Sequence, residues 1–305
     1  MKQLTKRLLS LVLVLLMLVG FLAAKGKWVD ESFGQKASFL VANVFIVATI
    51  LASVVGMEPL FSGRELVVSV VAVFILFAIG GVLGWICAKL LPLSPGDRTA
   101  AWLSVFFMNN VFIGFPVVEA LFGQNAVFCA ALTGLPFNLL LFSLGVSRLR
   151  AGQGRGRVRL REVFSPALIA TLVSIVFFLG QIPFPQLVAD TVQTLGGATV
   201  PLSMLIIGIS LSRVPVKEAI TDWRAYVVSL VRLILCPLVV WGVLRLFVSG
   251  TVLGVLTVIA ACPSGAMITI LSLRYGVDET FATRVNFVST VLCAGTLPLV
   301  THILL

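Results

Sequence analysis

The stretch Met108-Asn109-Asn110-Val111-Phe112-Ile113-Gly114-Phe115-Pro116 decides how this chain is read. It lies inside an apolar run, residues 99–121, and sets two adjacent amides, a glycine and a proline where a membrane helix would run unbroken. Proline has no backbone N–H and its ring collides with the preceding turn. Glycine admits backbone angles that other residues avoid. A second stretch, Ala261-Cys262-Pro263-Ser264-Gly265-Ala266, carries the same ingredients inside the apolar run 252–274. In hydrocarbon, non-helical backbone survives only where protein or water satisfies its polar groups. Two interrupted helices at related places point to a transporter's binding site. Their half-helix N-termini offer free amides and partial positive charge to an anion. The alternative is a pair of proline kinks that serve packing alone, since proline and glycine are frequent in membrane helices.

Working outward, the composition places the whole chain in a bilayer. Of 305 residues, 59% are hydrophobic and 11% charged, against about 25% charged in soluble domains, and the mean hydropathy is +1.14. The apolar runs predict an all-α integral membrane protein. Its ten crossing helices fall near 8–24, 37–56, 66–91, 99–121, 126–147, 165–181, 184–211, 224–247, 252–274 and 279–304, each near the roughly 20 residues a crossing needs. No loop between them is long enough for a soluble domain.

The net charge of +10 is topological and gives no reason to expect a nucleic-acid partner. The longest loop carries Arg148, Arg150, Arg155, Arg157, Arg159 and Arg161 against Glu162. The positive-inside rule makes this loop, 148–162, cytoplasmic. Lys25, Lys27, Lys36, Lys89, Arg98, Arg213, Lys217, Arg224, Arg274 and Arg284 fall on the same side, and both termini lie outside. The membrane is a plasma or bacterial inner membrane. Lys2 to Ala24 also has the outline of a signal peptide. Its removal would leave nine spans and put the arginine loop outside, so it reads as the first helix.

The two halves resemble each other weakly. Leu121–Asn125 lies over Arg274–Asp278, and Val44–Leu51 over Gly197–Met204. Five helices per copy is odd, so the copies are inverted: residues 1–147, a basic linker 148–163, and residues 164–305. Inverted repeats are the architecture of many secondary transporters.

Across nearly the whole chain these residues resemble the auxin efflux carrier family. Asn109 to Pro116 with the Gly123 turn is similar to its asparagine-x-glycine-x-proline segment. Pro201-Leu202 with Gly208, Arg232 to Pro237, Tyr275-Gly276, and Ser289-Thr290 with Pro298 are similar to its seventh to tenth helices. The departures are Val47, where the family has proline, and Met108 and Asn110 beside the first amide. The resemblance implies that helices 4 and 9 cross at their proline breaks. It implies a scaffold of helices 1, 2, 6 and 7, a transport domain of helices 3–5 and 8–10, and a homodimer through the scaffold. It also implies a small organic anion as substrate: malate, malonate or an auxin-like acid. A sodium-coupled symporter of the bile-acid type and a transport-inactive sensor or channel are the rival expectations.

The substrate-binding candidates are Asn109, Asn110, Gly114, Pro116, Asn138, Cys262, Pro263, Ser264 and Arg232. Asn138 enters because the resemblance sets the fifth helix beside the crossover. Arg232 is either a counter-charge for a substrate carboxylate or for Glu119, or a side chain snorkelling to the cytoplasmic face. Glu119 is the candidate for coupling to protons, or else faces the outer mouth; sodium is the other coupling ion expected. Asn43 and Asn286 read as interhelical hydrogen bonders. The single histidine, His302, and Cys87, Cys129, Cys236, Cys262 and Cys293 form no metal-ligand or nucleophile pattern. No cofactor, metal or enzymatic activity is expected.

Overall fold

A computed structural model of the chain describes residues 2–56, 63–150, 164–212, 219–275 and 277–305. Arg155, Arg157, Arg159, Arg161 and Glu162 of the basic linker, with Arg213, Lys217 and Gly276, lie outside the described residues. The described residues are helical throughout, apart from turns and one antiparallel bridge between Met108 and Ser264. In chain order the helices are α1 (Lys2–Lys25), α2 (Ser32–Ala52), α3 (Glu65–Leu90), α4 (Pro95–Phe106), α5 (Asn110–Phe122), α6 (Ala126–Leu149), α7 (Pro166–Gly180), α8 (Gln186–Leu211), α9 (Trp223–Leu244), α10 (Gly250–Ala260), α11 (Met267–Arg274) and α12 (Thr280–Leu304). Among these, α2, α3, α6, α8, α9 and α12 are long and apolar enough to cross a membrane, whereas Val12–Lys25 of α1, α5, α7 and α10 are shorter apolar helices. Phe39, Leu90 and Leu187 are exposed, which costs nothing when the solvent is hydrocarbon.

Local chemistry fixes the helix ends. The Asp30 carboxylate accepts the Phe33 N–H at 2.7 Å, so the second helix starts just after Asp30 rather than near residue 37 as expected. Ser94 accepts the Asp97 N–H at 3.1 Å, and Pro95 stands in the first turn, where its missing N–H is not needed. Gly123, at φ 89°, ends α5 with an angle that a side chain would oppose.

Among the described residues, four helices carry a wide, π-type turn: Val41–Phe45 in α2, Asn110–Gly114 in α5, Leu141–Gly145 in α6 and Val231–Leu235 in α9. Two have a simple cause. Pro116 and Pro237 each stand two residues past such a turn, and a proline ring forces the turn before it to open. Val47 has the same spacing from its turn. The Ile46 N–H reaches back five residues to the Val41 carbonyl, as the Cys236 N–H does to that of Val231. The wide turn therefore persists in α2 without the proline.

The chain divides into two compact units: Met1–Ser69, Val111–Gly134 and Pro166–Val214 form unit 1, and Val70–Asn110, Leu135–Ser165 and Pro215–Leu305 form unit 2. In unit 1, α1 lies against α8 at main-chain contact. A Cβ on Gly20 would overlap the Leu205 carbonyl, and one on Gly208 that of Met17. Small residues are what let membrane helices approach this closely. Thr49 Oγ1 lies 2.6 Å from Thr199 Oγ1 and donates to the Phe45 carbonyl at 3.0 Å. Gln124 Nε2 donates to the Thr49 carbonyl at 3.1 Å, and Ser174 Oγ to that of Ile50 at 3.2 Å.

In unit 2, Trp102 Nε1 donates to the Gly81 carbonyl at 3.0 Å, fastening α4 to α3. Phe106, Phe107, Phe77 and Phe137 form one aromatic cluster, with the Phe107 ring 5.4 Å from Phe137 and 6.3 Å from Phe77. Asp222 caps α9. It accepts from the Arg224 N–H at 3.0 Å and from Arg224 Nε and Nη2 at 2.8 and 2.7 Å, and Arg284 Nη1 lies 3.5 Å away. The Arg224 hydrogen bonds hold the Asp222 carboxyl below the usual aspartate range. All five cysteines are buried and free.

Candidate functional site

Both interrupted spans stop in unit 2 and meet there. The break in the fourth span is not at Gly114 or Pro116, where the residue types pointed. It falls earlier, at Phe107–Asn109, where the backbone leaves α4 in extended geometry. Pro116 acts upstream, by widening the turn 110–114, and itself occupies the second position of the regular helix Phe115–Phe122. The ninth span breaks at Ala261–Ala266, as expected, between α10 and α11.

The two breaks pair as a minimal antiparallel ladder. The Asn109 N–H donates to the Pro263 carbonyl at 2.8 Å, and the Gly265 N–H to the Phe107 carbonyl at 2.9 Å. Gly265 is needed for the approach, since a Cβ there would stand 3.2 Å from the Met108 carbonyl oxygen. The pairing satisfies main-chain groups that neither helix can satisfy once it has stopped.

Arg232, on α9, is 1% exposed. Its Nε donates to the Cys262 carbonyl at 2.9 Å, Nη1 to Val105 at 3.0 Å, and Nη2 to Ala260 at 3.0 Å and Ile259 at 3.3 Å. The snorkelling expectation is thereby corrected: the guanidinium turns inward, onto the carbonyl ends of α4 and α10. Within unit 2, no carboxylate pairs with it among the described residues.

From α12, Ser289 Oγ accepts the Ser264 N–H at 3.2 Å and donates to the Asn286 carbonyl at 3.2 Å. Thr290 Oγ1 donates to the same carbonyl at 2.7 Å. Ser264 is fully buried, yet its Oγ has no hydrogen-bond partner among the described residues; Asn286 Oδ1 is in the same condition. Buried polar atoms are normally paired, so these two oxygens mark a place able to receive a ligand group. The sequence contained this signal as the spacing Asn286, Ser289/Thr290, Cys293, one face of a helix, but single amides and hydroxyls are too common to single it out.

Of the other candidates, Asn109 is half-buried, while Asn110, Asn138, Cys262 and Pro263 are buried, all within unit 2. Gly114, Pro116 and Glu119 belong to unit 1. Glu119 Oε2 is buried with no hydrogen-bond partner among the described residues. Asn43 Nδ2 donates at 2.7 Å to Phe39, in its own helix, and not between helices as expected.

Comparison with known proteins agrees along the chain's length. A family model described as membrane transport protein matches residues 8–147 and 155–301. An uncharacterized transporter of Methanothermobacter thermautotrophicus is 27% identical over 293 residues, 95% of each chain. An uncharacterized transporter of Methanocaldococcus jannaschii is 26% identical over 290 residues, 92% of each chain.

Proposed function

The chain belongs to the membrane transport protein family, that of the auxin efflux carriers, and as a multi-pass membrane transporter of this family, not an enzyme, we propose that it is a secondary transporter carrying a small organic anion by alternating access. The observation that carries the proposal is the paired break in unit 2. Asn109 stands on one strand of the pair, with Asn110 opening α5 directly after it, and Ser264 stands on the other with a hydroxyl unpartnered among the described residues. The first amides of α11 follow directly. A carboxylate leaving water needs several hydrogen-bond donors, and amides, a hydroxyl and a helix N-terminus supply them together. Asn138, Cys262 and Pro263 complete the proposed site.

In this proposal the six long and four shorter apolar helices make ten crossings. They form two inverted five-helix copies, with both termini outside and the arginine-rich linker cytoplasmic. Helices 1, 2, 6 and 7 are the scaffold and could pair two copies of the chain. Partial support for a moving domain comes from the compact units: α1, α2, α7 and α8 fall in unit 1, and α4, α9 to α12 and α3 from Val70 onward fall in unit 2, but α5 beyond Asn110 and α6 up to Gly134 also belong to unit 1. Glu119, with a buried and unpartnered Oε2, is the proposed carrier of a coupled proton. The test is uptake of labelled mono- and dicarboxylates by proteoliposomes under imposed pH and sodium gradients. Gradient-driven uptake that loses its pH dependence in Glu119→Gln supports proton coupling. Dependence on sodium alone would favour the bile-acid type, and binding without flux a sensor.

A further inference from the structure

Arg232 is where the structure departs most from what its residue type suggests. A charge at mid-membrane costs on the order of 3 kcal/mol even on insertion scales, and charged side chains there normally pair with an acid or line a substrate path. Arg232 spends its N–H groups on four main-chain carbonyls, those of Val105, Ile259, Ala260 and Cys262. These are the last turn of α4, the last turn of α10 and the first residues of the break that follows. A helix end leaves four carbonyls without helical partners, and hydrocarbon offers no water to replace them. Each end also carries about half a negative charge. Two such ends balance one guanidinium, so the buried cation is neutralised by backbone alone, and the positive N-terminus of α11 remains as the local field toward an anion.

The contacts lie directly beside the paired breaks. Cys262 precedes Pro263, whose carbonyl receives the Asn109 N–H. Val105 stands two residues before Phe107, whose carbonyl receives the Gly265 N–H. We infer that Arg232 is the positioning residue of the transport site: it clamps the ends of α4 and α10 so that Asn109 and Ser264 keep fixed register, and it governs substrate affinity without touching substrate. Only arginine suits the task. Its planar fork reaches two helix ends at once and stays charged, whereas a lysine ammonium is a single point donor. The consequence for transport rests on the function proposed above; the clamp itself does not.

The experiment compares full-length wild type, Arg232→Lys and Arg232→Gln in liposomes, by amide hydrogen exchange and by anion flux. In the wild type, the Asn109 and Gly265 amides are to exchange as slowly as the interior of α10. Exchange at both is to quicken about ten-fold or more in the Gln variant and less in the Lys variant, as charge-assisted hydrogen bonds are lost. In the Lys variant, KM for the transported anion is to rise about ten-fold while the maximal rate changes by less than about two-fold, the signature of lost positioning in the bound state. Unprotected Asn109 and Gly265 amides in the wild type would overturn the inference without any variant. Unchanged exchange at both in a folded Gln variant, or an unchanged KM in the Lys variant, would do the same. If the wild type moves no anion at all, the transport function fails, while the exchange data still decide the clamp.

Discussion

In unit 1, α1 and α8 touch main chain to main chain, because Gly20 and Gly208 remove the side chains between them. In unit 2, α4 and α10 end inside the unit, and a buried arginine together with two inter-strand hydrogen bonds holds their ends. The first arrangement is made of contacts that nothing can enter. The second holds backbone amides, carbonyls and a free hydroxyl in the interior, groups that a membrane protein keeps there at a cost. A close-packed glycine interface suits a part that stays fixed, and a polar clamp suits a part that binds. The two can be broken separately.

The largest effect is expected in unit 1. Gly208→Ala places a methyl onto the Met17 carbonyl, and the helices must part. The loss is expected to be about 3 kcal/mol or more, read as a sharp drop in melting temperature and in monodisperse protein after extraction. Gly197→Ala is the control, because a Cβ there meets nothing within 4 Å; it should melt like the wild type. Equal melting of the two variants would remove the glycine contact from the account.

A smaller effect is expected at the cap of α9. Asp222 has its carboxyl held low by Arg224. A depressed carboxyl contributes stability above its unfolded value near 3.9 and loses it as pH falls through the lower folded value. Asp222→Asn should therefore be less stable than wild type at neutral pH by about 1 kcal/mol. The gap should begin to narrow below roughly pH 4 and close only below the lower folded value, once the wild-type carboxyl is protonated as well. Melting curves from pH 3 to 7 would show it, and a gap that stays constant would contradict the pairing.

The smallest effect is expected at Val47. A proline inside an ordinary helix costs about 3 kcal/mol, but the wide turn Val41–Phe45 already has the geometry that precedes Pro237 in α9. Val47→Pro should cost less than about 1 kcal/mol, whereas Val71→Pro, past the first turn and inside α3, should show the full penalty. Equal losses at the two positions would mean that the α2 turn is not equivalent.

These contrasts also explain how much was legible in the residues. The helices were, because long apolar runs have few alternatives: α12 begins within a residue of expectation and α9 likewise. The location of the fourth break was not. Pro116 and Gly114 are conspicuous, but a proline perturbs the turn before it, and the backbone finally parts at Phe107–Asn109, where Asn109 stood out as a ligand candidate and not as a helix end. Arg232 was conspicuous as well, yet its partners are carbonyls, which every residue has, so its target could not be read from residue types. Gly20 gave no signal, and Gly208 only that of a family resemblance, for the same kind of reason, since a glycine shows its packing use only when the facing chain is known. Asn109, Asn110 and Ser264 stood out as candidates because adjacent amides, or a hydroxyl set between a proline and a glycine, are rarer in apolar runs than the single amide and hydroxyl of Asn286 and Ser289.

The central claim is that the paired break in unit 2 binds an organic anion for transport. Exchange flux of labelled malonate and malate across proteoliposomes tests it most directly, with wild type beside Asn109→Ala and Ser264→Ala. The account predicts saturable flux in the wild type and an affinity lowered about ten-fold in each variant, as expected for one hydrogen bond to a charged ligand, with melting temperatures unchanged. Folded wild-type protein that moves neither these nor any other carboxylate would contradict it, as would full affinity in both variants.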